Sequence, residues 1–308
     1  MHTDTPQPLF VYESGTITAA LAHGTRVLLR DVSFSMQPGD RLAVIGETGS
    51  GKTMLALSVL GLLPANVRMQ GGLIRLNGRT LADEAQLRPL RGDRIVYIPQ
   101  NGAECLLPAR TVRAPLYDSL KKRGVPRREL PAQAAEKLRA AGFDAPEAVL
   151  DQYPFRLSGG MAQRVTIALA ACAPAQLLIA DEPTNGLDAA GKAQFFALLQ
   201  TLFPDTAKLI ITHDISVAAL CSRVAVLCRG RVLETGASAR VLCRPRHPYT
   251  KALLAAQVES GMQPSPVLRA AAGDCPFYAR CPEADGACLR GALQCRTDGN
   301  TQWWCCHD

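Results

Sequence analysis

The chain has 308 residues, with 34 Lys and Arg against 27 Asp and Glu and a formal net charge of +7. Hydrophobic residues make up 47% and charged residues 20%, a globular composition that argues against a disordered chain. No run reaches the roughly 18 apolar residues of a bilayer-spanning helix. The start, Met1-His2-Thr3-Asp4-Thr5-Pro6, lacks the basic-then-apolar pattern of a signal peptide, so the expectation is a protein of the cytosol or the cytosolic face of a membrane.

In chain order, the apolar run Leu42-Ala43-Val44-Ile45 enters the glycine loop Gly46-Glu47-Thr48-Gly49-Ser50-Gly51-Lys52-Thr53. Met54, Leu55, Leu57, Val59 and Leu60 then predict an apolar helix ending near Gly61 and Pro64. This is a complete P-loop. Its glycines let consecutive N–H groups turn toward phosphates, Lys52 places a point charge on the β and γ phosphates, and Thr53 offers a hydroxyl to Mg2+.

Leu73 to Leu76 runs into Asn77-Gly78, a two-residue hairpin turn. Ile95 to Ile98 predicts a strand followed by Gln100. From about 102 to 165 the pattern is helical and charged, and predicts an inserted helical subdomain. Leu157-Ser158-Gly159-Gly160-Met161 then opens a helix expected over Met161 to Cys172. Ser158, Gly159 and Gly160 thus form a second phosphate-binding helix start in a chain that already has one. One nucleotide does not need two such starts from one subunit, which points to a head-to-tail pair.

The continuous apolar runs Leu177 to Ala180, before Asp181-Glu182, and Leu209 to Ile211, before Thr212-His213, suit parallel strands buried on both faces. Together with the P-loop strand they predict an α/β core with functional groups at strand ends. Asp181 is expected to hold Mg2+ and Glu182 to polarise the attacking water. A second hairpin is expected where Val224 to Cys228 meets Arg229-Gly230. Beyond about 240, Pro245, Pro248, Pro264, Pro266 and the cysteines change the composition; of eleven cysteines, six lie between Cys275 and Cys306. In a cytosolic chain such clustering favours metal or cluster ligation over disulfides.

Taken together, the P-loop, Gln100, Leu157 to Met161, the Asp181-Glu182 strand and Thr212-His213-Asp214 resemble the ATP-binding subunits of ABC transporters, over about residues 25 to 240. The resemblance implies an α/β P-loop NTPase fold of the ABC type, with an antiparallel β subdomain, an inserted helical subdomain at about 102–165 and a small Cys-rich C-terminal module. It implies an ATPase domain over 1–240 and a tail over 241–308. Gln100 resembles the glutamine that senses Mg2+ and the attacking water, His213 the switch histidine at the γ-phosphate, and Asp188 the aspartate at the dimer interface. Two departures stand out. Phe10 and Tyr12 are out of register for stacking on adenine, where Thr18 to Ala20 fall instead, and Asn185-Gly186 replaces the usual small pair before Leu187-Asp188.

Arg246 to Leu254 and the tail cysteines resemble the peptide and nickel permease branch. In that branch such a tail resembles a 4Fe–4S site, matched here by Cys275, Cys281, Cys288 and Cys306. Cys305 is the alternative to Cys306, Cys295 and His307 are surplus candidates, and Zn2+ or an unligated tail are the other outcomes. The implied function is the ATP-hydrolysing subunit of an importer of short peptides, nickel or a metal chelate. It would be peripheral on the cytoplasmic face of the inner membrane. The implied partners are a second ATPase subunit (related or identical), two membrane permease subunits and an extracytoplasmic substrate-binding protein, with no nucleic acid. Docking to the membrane subunits is expected at the helical insertion and after Gln100, including Glu104. The alternative is a soluble ABC-type ATPase acting on nucleic acid or ribosomes, where +7 would meet phosphate backbone; a small-molecule P-loop kinase would leave the Ser158 turn and His213 without purpose.

Overall fold

The computed structural model describes residues 7–100, 102–256 and 274–307, with the backbone alone for Ala103 and Glu104. The docking expectation for the Glu104 side chain, and those for Pro264 and Pro266, lie outside the described residues. In chain order the elements are β1 (Phe10–Leu21), β2 (Gly24–Met36), β3 (Arg41–Ile45), α1 (Lys52–Leu60), β4 (Val67–Leu76), β5 (Arg79–Leu81), α2 (Glu84–Leu87), β6 (Ile95–Ile98), α3 (Arg113–Lys122), α4 (Leu130–Ala140), α5 (Pro146–Leu150), α6 (Gly159–Ala170) and β7 (Leu177–Asp181). There follow α7 (Ala189–Leu202), β8 (Ala207–Thr212), α8 (Ile215–Ala219), β9 (Arg223–Cys228), β10 (Arg231–Ala237), α9 (Ser238–Cys243), α10 (Pro248–Ala255), α11 (Gly286–Arg290), β11 (Gln294–Asp298) and β12 (Thr301–Cys305). They divide into two compact units, Met1–Glu84 with Leu209–Asp308, and Ala85–Lys208.

The first unit holds an antiparallel sheet in the order β2-β1-β4-β5. Phe10 and Tyr12 of β1 are fully buried, and Tyr12 stacks on Phe34 of β2 with ring centroids 5.4 Å apart. Tyr12 also hydrogen-bonds Ser58 of α1 through its hydroxyl at 3.0 Å. Both aromatics are therefore core residues, which explains why neither falls in register for a base. The β4–β5 hairpin turns through Asn77 (φ 51°) and Gly78 (φ 73°), the left-handed pair that a tight two-residue turn requires.

A second sheet runs β11-β12-β10-β9-β3-β8 within this unit, the division between units falling inside β8. β3 pairs parallel to β9, and its Leu42 to Ile45 are buried, as a strand covered on both faces must be. The tail joins this sheet. β12 pairs antiparallel with β10, with Glu234 opposite Trp303 and Thr235 opposite Gln302, and β11 completes the edge. No break in the sheet marks the change of composition at about 240.

In the second unit β6 and β7 pair in parallel, and α3 to α6 close over an apolar core that includes Val112, Leu116, Leu120, Leu130, Leu138, Val165 and Cys172. That core runs through α6, past residue 165, because the buried face of the Ser158 helix is one of its walls. α6 itself starts at Gly159 and ends at Ala170, two residues earlier at each end than its sequence pattern indicates. Ser158 is its N-cap, accepting the Met161 N–H at 3.3 Å, so the cap and not the first apolar residue sets the start. Among the described residues no helix is long and apolar enough to cross a membrane.

Candidate functional site

The P-loop is shaped by its lysine and its glycines. Lys52, the first residue of α1, is buried and donates from Nζ to the carbonyl oxygens of Gly46 at 2.7 Å and Glu47 at 3.1 Å. The loop therefore curls around the ammonium before any phosphate arrives. A Cβ on Gly46 would lie 2.1 Å from the Leu227 carbonyl oxygen; Gly51, at φ 107°, would place one 2.6 Å from Leu29. Glu47, Thr48 and Gly49 are exposed along the rim, and Thr53 presents its side chain to solvent at the helix start. Ser50 Oγ is buried with no hydrogen-bond partner among the described residues. An unsatisfied hydroxyl inside a ring of loop amides fits a phosphate oxygen. Thr53 offers a hydroxyl oxygen, the kind of donor a hard Mg2+ selects. His213 follows β8 in the same unit as the P-loop and is exposed.

The second unit carries the acids. β7 ends on buried Asp181, within 3.5 Å of the Tyr97 hydroxyl of β6. Glu182 follows with φ 47°, a left-handed conformation that costs a non-glycine residue energy. Gln100 is exposed just beyond β6. Ser158, Gly159 and Gly160 are exposed, and nothing lies within 4 Å of an added Cβ on either glycine. Asp188 caps α7, accepting the Gly191 N–H at 2.7 Å. Gly160 and Gln163 line one cavity of about 240 Å3 with Leu187 and Gly191, so the Ser158 turn and the Asp188 cap are neighbours.

In the tail, none of the cysteines forms a disulfide. The tightest group of ligand atoms among the described residues is Asp285, Cys288 and His307, all within 4.8 Å of one another. Cys288 Sγ lies 3.1 Å from His307 Nε2, and the His307 N–H donates to Cys305 Sγ at 3.5 Å. Burial pushes the Cys275 thiol up to about 12, with Cys281, Cys305 and Cys306 adding to the rise. Burial likewise raises Cys281 to about 11, with Cys305 and Cys288 nearby, and Cys306 to about 11, where Cys288 and Cys305 add. Cys281, Cys288 and Cys305 are buried and Cys275 and Cys306 half-buried, whereas Cys295 is exposed on β11; among the described residues only Cys288 of these joins a close group of ligand atoms. Asp285 escapes sequence reading because its tie to the group is the Asx cap it makes on α11, a local hydrogen bond to the Ala287 N–H at 2.8 Å.

Two further residues emerge only in three dimensions. The Glu47 N–H donates to the Tyr249 hydroxyl at 3.1 Å, and Arg280 reaches the Glu47 carboxylate. Tyr249 lies inside the Arg246–Leu254 segment and Arg280 inside the gap between Cys275 and Cys281, so both were within segments already singled out.

Comparison with known proteins agrees with this geometry. The ABC transporter family matches residues 29–185, and the family described as oligopeptide/dipeptide transporter, C-terminal region, matches 233–288. A chain of Sinorhizobium fredii named "Probable peptide ABC transporter ATP-binding protein" is 40% identical over 280 residues, covering 84% of this chain and 83% of its own. The nickel import ATP-binding protein NikD of Rhodospirillum rubrum is 38% identical, covering 79% of this chain and 93% of its own. A dimeric ATP-binding cassette solved in a post-hydrolysis state with ADP and Pi superposes with a TM-score of 0.65 at 25% identity, covering 74% of this chain and 98% of that one. The chain belongs to the ABC transporter family as one of its ATP-binding, ATP-hydrolysing subunits.

Proposed function

We propose that this chain drives an importer of short peptides, with nickel or a metal chelate as the other cargo its relatives' names indicate. The observation that carries the reading is the match of residues 233–288 to the oligopeptide/dipeptide transporter C-terminal region, in a chain whose residues 29–185 match the ABC transporter family. No observation favours action on nucleic acid or ribosomes.

Within this reading the loop Gly46 to Thr53 cradles the triphosphate, and Lys52 exchanges its two carbonyl partners for phosphate oxygens. Thr53, Asp181 and Gln100 hold Mg2+, which when bound neutralises charge on the β and γ phosphates. Glu182 orients and polarises the attacking water, and His213 contacts the γ-phosphate. The open turn Ser158-Gly159-Gly160 presents its amides to the nucleotide of a second ATPase subunit, identical or related, and Asp188 lies at that interface. Closing on ATP and opening after hydrolysis then move two membrane permease subunits, supplied with cargo by an extracytoplasmic binding protein. The chain acts from the cytoplasmic face of the membrane.

The tail centre, in this reading, is a 4Fe–4S cluster on Cys275, Cys281, Cys288 and one of Cys305 and Cys306; the cysteine spacing of the tail and the burial of Cys281, Cys288 and Cys305 support it. The close group of Asp285, Cys288 and His307 favours Zn2+ as the second reading. Either group would brace the tail and takes no part in ATP hydrolysis.

Glu182→Gln tests the ATPase assignment. ATP binding should persist while turnover falls by about two orders of magnitude or more; near wild-type turnover overturns the role of Glu182. Uptake of labelled dipeptide and of 63Ni2+ by cells producing Glu182→Gln in place of the wild type reads the cargo: loss of peptide uptake alone supports the first reading, and loss of nickel uptake alone overturns it.

A further inference from the structure

The exposed P-loop residue Glu47 is gripped from two sides by the C-terminal part of the chain. Arg280 forks onto its carboxylate, Nη1 to Oε1 at 2.8 Å and Nη2 to Oε2 at 2.7 Å. The backbone N–H of the same residue donates to the Tyr249 hydroxyl at 3.1 Å. The two grips are joined behind Glu47. Tyr249 packs on Phe277 with centroids 5.3 Å apart, and the Arg280 guanidinium lies over the same Phe277 ring, 5.3 Å from its centroid. Tyr249 and Phe277 are 1% and 2% exposed, so this is a built wall and not a surface encounter.

Each grip is itself anchored. Glu234, wholly buried on β10, accepts the N–H groups of Arg246 at 2.9 Å and His247 at 3.0 Å, which fixes the start of α10 and hence Tyr249. Arg280 closes a 3-10 turn whose ends are Cys275 and Cys281: the Tyr278 N–H reaches the Cys275 carbonyl at 3.1 Å and the Cys281 N–H the Tyr278 carbonyl at 3.2 Å. The Glu47 carboxylate also raises the affinity of Arg280 for its proton, the hydrogen bond being the main cause. A planar two-bond fork fixes orientation as well as distance, which a lysine cannot reproduce.

We propose that Arg280 and Tyr249 are positioning residues of the nucleotide site. They hold Glu47, and with it the rim of the P-loop, in the conformation that receives triphosphate. A loop so held spends less ordering entropy on binding, so release of either grip weakens ATP binding without touching the groups that act in hydrolysis. The tail, on this account, reaches the nucleotide through the turn between its first two cysteines.

The proposal rests on the P-loop being the ATP site. The test is titration of purified full-length chain with fluorescent mant-ATP and Mg2+, alongside ATPase turnover at saturating ATP and the unfolding midpoint. Arg280→Ala should raise the ATP Kd by about three- to tenfold, the range for a partly exposed bidentate pair, with kcat retained. Arg280→Lys should recover only part of the loss. In a Glu47→Ala background, Arg280→Ala should have no further effect on Kd. Tyr249→Phe, which keeps the buried ring and removes only the hydroxyl, should also raise Kd and serves if Arg280→Ala does not fold. Unchanged Kd in the folded variants, a drop in kcat at unchanged Kd, or equal effects of Arg280→Ala with and without Glu47 would overturn the proposal. Failure of the wild-type chain to bind ATP would instead overturn the nucleotide site itself.

Discussion

His247 turns Nδ1 onto the backbone N–H of Tyr249, 2.9 Å away, and so serves as the N-cap of α10. A cap that accepts must be unprotonated at that nitrogen. Burial is the main cause that lowers the pKa of His247 from 6.5 to about 4, and Lys251 adds to it. Neighbouring Glu234 accepts the His247 N–H. The unfolded chain takes up this proton near 6.5 and the folded chain only near 4, so the contribution is complete above pH 6.5 and is lost as the pH falls toward 4. The wild type should lose up to about 3 kcal/mol across that window. His247→Asn, which keeps a capping acceptor that does not titrate, should flatten the slope in denaturant unfolding measured from pH 7 to 4.5.

Lys52→Ala removes the donor around which the P-loop curls as well as the charge that meets phosphate. Turnover should fall by about two to three orders of magnitude, and mant-ATP titration should show weakened binding. The unfolding midpoint should change less than for a core truncation, because the lost bonds lie within one loop.

Gly46→Ala should be poorly tolerated for a different reason. Its Cβ would press on the Leu227 carbonyl, backbone of the neighbouring strand β9, which cannot yield as a side-chain tip does. A loss of about 2 kcal/mol or more is expected in urea unfolding, with ATP binding falling in step. Gly49→Ala faces only its own φ of 79°, with open space around it, and should lose about 1 kcal/mol.

The tail centre predicts its own readout. Protein purified without oxygen should carry iron and sulfide, about four of each per chain, with broad visible absorption. Cys281→Ser should remove most of it, whereas Cys295→Ser, on exposed β11, should leave it unchanged. Colourless protein with one zinc, lost in His307→Ala, would move the assignment to the Asp285–Cys288–His307 group.

Much of the fold was legible because local chemistry dictates it. Gly46 to Thr53, the Asn77-Gly78 turn and the apolar runs of β3, β7 and β8 each carry their reason within a few residues. β6 was read at its observed bounds, since Ile95 to Ile98 is a short apolar run between Arg94 and Pro99. What escaped depends on long-range partners. Thr301, Trp303 and Trp304 of β12 are good strand formers, but which sheet Thr301–Cys305 joins is set by its pairing with β10. Glu47 looks like one variable position of the loop until Arg280, 233 residues away, is seen on it. Asp285 likewise gains meaning only from where His307 returns.

The union of β12 with β10 bears on how the protein is handled when shortened. A truncation near 240 looks harmless on a sequence map, since every ATPase motif lies before it. It would strip β10 of β12 on its outer side and leave a row of unpaired amides and carbonyls, a template for sticking to another chain. Trimmed versions should precipitate or self-associate, for want of the strand that shields their flank.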